Sequence, residues 1–61
     1  MNPDNQAEID YLHYLEKNLN ELYDIADLYD GAAPPALRQK IETARFMIWR
    51  QRQRMDRLGV A

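Results

Sequence analysis

An all-α fold, an antiparallel helical hairpin of two long helices joined by a Gly/Pro turn, is predicted by three features of the sequence. Between Pro3 and Gly59 the only breaker cluster is Gly31-Ala32-Ala33-Pro34-Pro35. The two segments it separates are nearly equal in length, so a short turn can fold one back along the other. Both carry apolar residues at alternating spacings of three and four, the period of one helix face.

The first helix is expected over about residues 3–30. Asn2 stands at the cap position, Pro3 suits the first turn because its missing N–H would be unpaired there, and Asp4 and Glu8 bring negative charge to the positive helix end. Asp30-Gly31 is the expected stop, with glycine in the left-handed conformation. The turn spans 31–34, where Pro34 and Pro35 push the residues before them toward extended geometry. Pro35 opens the second helix, which runs to about residue 58, with Gly59 as its stop and Val60-Ala61 as a short tail. At ~1.5 Å rise per residue each helix is roughly 35 to 40 Å long. All of residues 1–61 belong to a single domain.

The seam of helix 1 is Leu12, Leu15, Leu19, Leu22, Ala26 and Tyr29. That of helix 2 is Leu37, Ile41, Ala44, Ile48, Gln51, Met55 and Leu58. Gln51 is the lone polar member. Either it sets the register of the pair or, more simply, it occupies a seam position that reaches solvent.

With 61 residues, 46% of them hydrophobic, the chain is apolar enough to fold but too short to bury a large core alone. It has no cysteine and one histidine, so disulfides, thiolate metal sites and His-rich clusters are excluded as staples. Self-association or a partner protein is the staple left. Helix 1 supports self-association, because Tyr11, Tyr14, Ile25 and Tyr29 widen its apolar face on one flank, and Ile9 and Tyr23 on the other, beyond what one helix can cover. A homodimer closing into a four-helix bundle is therefore expected, with Tyr11, Leu15, Leu22, Ile25 and Tyr29 at the interface and contributions from helix 2.

Charge divides at the turn. Residues 1–30 hold eight acids against Lys17, a net charge of −7; residues 31–61 hold seven cations against Glu42 and Asp56, a net charge of +5. In an antiparallel hairpin the arginine-rich end of helix 2 returns beside Asp4, Glu8, Asp10 and Glu16, and pairing across the flanks favours this orientation. The opening MNPDNQAEID lacks a basic leader followed by an apolar run, and no stretch reaches the ~20 apolar residues of a membrane span, so a cytoplasmic location off the membrane is expected.

No catalytic, metal or cofactor motif is present. His13 has Asp10 and Glu16 near it, but one imidazole and two mobile carboxylates are a poor metal site, and the chain has no serine for a Ser-His-Asp arrangement. What stands out is the stretch Arg45 to Arg57. Counting ~100° per residue from Ile48, Trp49 lies about 100° and Phe46 about 160° around the helix, away from the seam and one turn apart. Glu42, Arg45, Arg50 and Gln53 flank them. Trp and Arg beside exposed apolar surface make the composition of a protein-binding hot spot. The sequence therefore points to a non-enzymatic adaptor, inhibitor or anti-activator that occupies a surface of another protein, of unknown identity, through Phe46, Trp49, Arg45, Arg50, Gln53 and Glu42.

Other readings stand beside it. Phe46 and Trp49 can instead complete a dimer core, leaving a purely structural dimerisation module. Arg45, Arg50, Arg52, Arg54 and Arg57 offer a basic stripe to nucleic acid, against which stand the net charge of −2 and a pI near 5.1. The acidic first helix can imitate phosphates toward a basic protein. The layout resembles small helical-hairpin dimers of the Rop type in size and topology alone; no motif of that group is matched, and its RNA binding is not carried over.

Overall fold

The computed structural model describes residues 3–60, with side chains from residue 5 onward. Asn2, the expected cap, the Asp4 side chain and Ala61 lie outside the described residues. The chain forms α1 (Pro3–Asp27) and α2 (Pro35–Leu58), packed as an antiparallel hairpin 44 Å long and 16 by 14 Å across, with no strand among the described residues.

The α-helical part of α1 stops three residues before the expected end. The amides of Leu28, Tyr29 and Asp30 donate to carbonyls three residues back, at 3.1, 3.0 and 3.2 Å, so the last turn tightens toward the 3₁₀ pattern. Asp30 (φ 51°) and Gly31 (φ 86°) are both left-handed, and two such residues in succession reverse the chain. Asp30 shares this task with the glycine because a short polar side chain tolerates that conformation.

Pro34 (φ −58°, ψ 150°) is extended, as a residue before proline must be, yet its carbonyl already accepts from the Arg38 amide at 3.1 Å. Pro35 then starts α2 and brings no amide of its own to be paired, while no side chain caps the turn. At the other end Gly59 (φ 74°) is left-handed, its amide donates to Asp56, and the Val60 amide donates to Met55 at 2.8 Å. This paired closure is a Schellman motif. Val60 is consequently no loose tail: it is buried, as is Met55.

The seam is the core. Leu15, Ala44, Ile48 and Met55 are buried, while Leu12, Leu19, Leu22, Ala26, Leu37 and Ile41 are half-buried around them. Two expected members fall outside it: Leu58, at the last turn of α2, and Tyr29, beyond the shortened α1, are exposed. Gln51 also departs from the simpler expectation. It is only 5% exposed, and its carboxamide crosses the seam to donate to both the carbonyl oxygen and the carboxylate of Glu8.

Candidate protein-binding faces

The hairpin has two long faces, one on each side of its seam. On the first, two clefts meet at Met47. One, of about 580 Å³, is bordered by Asn18 and Leu22 of α1 and by Lys40, Thr43 and Met47 of α2; the other, of about 250 Å³, by Tyr11 with Met47, Arg50, Arg54 and Arg57. Tyr14 and Ile25 fall on the same flank of α1 by ~100° steps, and the Tyr11 and Tyr14 rings stack with centroids 6.4 Å apart. This is the tyrosine face.

On the opposite side two clefts share Arg45 and Trp49. The first, about 350 Å³, runs between the helices along Glu16, Leu19, Asn20, Ile48 and Arg52, with Gln53 at its edge. The second, about 400 Å³, lies on α2 alone, among Glu42, Arg45, Phe46 and Trp49. Phe46 and Trp49 sit 5.9 Å apart between centroids and are 57% and 58% exposed. This is the tryptophan face.

Of the residues expected to bind a partner, Phe46, Trp49, Arg45, Glu42 and Gln53 line these joined clefts, whereas Arg50 borders the tyrosine-face cleft. Of those expected at a dimer interface, Tyr11, Ile25 and Tyr29 are exposed and Leu22 is half-buried. Leu15 is different. At 3% exposure it is consumed by the hairpin's own core. Met47 is the residue the sequence reading passed over: α1's surplus apolar surface was conspicuous, while a single apolar residue beside the α2 seam, among Lys40, Thr43 and Arg54, was not.

Cross-helix ion pairing occurs at two of the four expected acids. Arg54 Nε donates to Glu8 Oε1 at 2.6 Å, and Arg52 meets Glu16 Oε2 at 3.2 Å. Asp10 instead accepts from Gln6 at 2.9 Å, and Asp4 lies outside the described side chains. Glu8 thus accepts from Gln51 and Arg54 together. The Gln51 amide first, then the Arg54 guanidinium, hold its pKa below the ordinary 4.5, because each donor favours the ionised form.

Among the described residues no group of three or more His, Cys, Asp or Glu side chains is placed to hold a metal ion, and no helix is long and apolar enough to cross a membrane. Fold and faces together define an all-α helical hairpin with two exposed aromatic surfaces. Comparison with protein-family models, with curated proteins and with solved structures finds no match for the chain.

Proposed function

We propose that this chain is a small non-enzymatic protein-binding regulator, of the adaptor, inhibitor or anti-activator type, which works in the cytoplasm as a homodimer and acts by occupying a surface of a partner protein. The observation that carries this reading is the Phe46–Trp49 pair: two large aromatic rings in contact, more than half exposed, on a helix whose seam is already filled by Ala44, Ile48 and Met55. Large aromatic rings of this kind, buried in a partner, are what carries the energy of interface hot spots. Arg45 and Gln53 beside them supply the polar rim that interfaces carry.

The test compares proteins captured from the source cell by the wild-type chain and by a Phe46→Ala/Trp49→Ala variant of unchanged helicity and sedimentation. Loss of specific capture is expected; equal capture places the binding surface elsewhere. Trp49 fluorescence gives a second check, since an emission maximum typical of a buried indole in the free protein would leave no anchor to offer.

One observation favours nucleic acid as a second reading: Arg50, Arg54 and Arg57 border a common cleft with Tyr11. Against it, Arg54 and Arg52 are engaged by Glu8 and Glu16, so the stripe is partly neutralised within the hairpin. Binding of nonspecific DNA or RNA that falls steeply between low and moderate salt is the expected sign of this activity; no binding at low salt removes it.

A further inference from the structure

We propose that the second copy packs on the tyrosine face about a two-fold axis parallel to the helices, so that each acidic α1 lies along the partner's basic α2, and the two Phe46–Trp49 ledges point outward on opposite sides as a bivalent binder. This inference rests on the dimer proposed above and adds its arrangement and valence.

Area calls for an occupant. The chain exposes 4959 Å², against about 4,200 Å² expected of a compact monomer of 7.3 kDa. The surplus of about 800 Å² equals one partner's share of a standard interface. Of the two faces, the tyrosine face suits a long helical partner, because both helices supply its apolar groups: Tyr11, Tyr14 and Ile25 from α1, Met47 from α2, all at least 39% exposed. On the tryptophan face α1 exposes one large apolar group, Tyr23, against three on the tyrosine face, the paired rings come from α2, and the Arg52–Glu16 pair bridges the groove between helices.

Charge then selects the axis. Face-to-face packing of two antiparallel hairpins allows two arrangements. A two-fold perpendicular to the helices sets α1 against α1, acid on acid, and α2 against α2, base on base. A two-fold parallel to them sets α1 against the partner's α2 and preserves axial level. Leu22 shares a cleft with Lys40, and Tyr11 shares one with Arg50, so Glu21 is level with Lys40 and Asp10 with Arg50. By ~100° steps Asp10 and Glu21 lie on the outer rim of α1 beyond Tyr14. The parallel axis therefore brings the partner's Asp10 to Arg50 and the partner's Glu21 to Lys40, each pair twice by symmetry. Like charges placed opposite one another disfavour the other arrangement.

The consequence for function is geometric. With the tyrosine faces closed on each other, the two tryptophan faces lie on opposite outer sides, and the dimer engages a partner that is itself dimeric, or repeated, with the avidity of two linked sites.

Because the chain has no cysteine, single introduced thiols report contacts cleanly. Asp10→Cys chains mixed with Arg50→Cys chains should form a disulfide-linked heterodimer under mild oxidation, at least tenfold faster than Asp10→Cys mixed with Glu21→Cys. The reverse order, linking α1 to α1, overturns the arrangement while leaving a dimer. Sedimentation of the wild-type chain as a folded monomer at tens of micromolar overturns the dimer itself, and the arrangement with it.

Discussion

The Gln51 carboxamide spans the seam to Glu8, donating to its carbonyl oxygen at 3.0 Å and to its carboxylate at 2.8 Å. A buried polar contact of this kind fixes register, because sliding either helix by one turn strands the amide in an apolar seam. Gln51→Ala is expected to lower the unfolding free energy by about 1–3 kcal/mol, read from urea denaturation. Gln51→Leu should lose less stability and more uniqueness, visible as broadened amide resonances. A Gln51→Ala protein as stable as the wild type would show that the contact holds nothing.

Glu8 makes stability depend on acid. Its pKa is held below the ordinary 4.5 in the folded chain, so its contribution is present above the unfolded value and is lost as the pH falls through the lowered folded value. The urea midpoint should therefore decline as the solution is taken from neutrality to below pH 4.5. A Glu8→Gln variant should start lower and show a flatter acid limb over that range. Parallel acid limbs for the two proteins would move the effect to other carboxylates.

Gly59 tests the closure of α2. Nothing lies within 4 Å of a Cβ built there, so the cost of Gly59→Ala is purely the strain of φ 74° on an L side chain. That is about 1–2 kcal/mol. Val60→Ser, by removing a buried apolar side chain from the same motif, should destabilise as well, and thermal melts of both variants check the pair. Wild-type melting in both would mean the C-terminal turn frays without consequence.

Which parts were legible in the sequence follows from what each depends on. The two helices and the seam residues Leu15, Ala44, Ile48 and Met55 follow from periodicity and from where Gly and Pro stand, both local properties. Register is not local. Nothing near Gln51 in sequence says that Glu8, 43 positions away, will accept its amide, and so the simpler solvent-reaching expectation failed. The end of α1 was misplaced because Asp30 takes a left-handed conformation that sequence reading reserves for Gly31. On the faces, the angular positions of Phe46 and Trp49 are readable from ~100° steps, but that the seam uses up Leu15 and leaves none of it for a dimer interface, and that Met47 lies between two clefts, depend on how the helices are rotated about their axes.

The two faces should separate by mutation. Phe46 and Trp49 contribute little to the hairpin core, so Phe46→Ala/Trp49→Ala is expected to leave unfolding free energy within about 0.5 kcal/mol of wild type and self-association unchanged. Met47→Asp places a charge at the centre of the tyrosine face and should raise the dimer dissociation constant at least about tenfold, equivalent to about 1.4 kcal/mol. Raising salt from 0.1 to 0.5 M should weaken the wild-type dimer modestly, because the proposed rim pairs are exposed and screened. Sedimentation equilibrium measures the three association effects, and urea denaturation the unfolding free energy. Should the Phe46→Ala/Trp49→Ala protein be the one that dissociates, the tryptophan face is the dimer interface and the partner surface must be sought among the tyrosines.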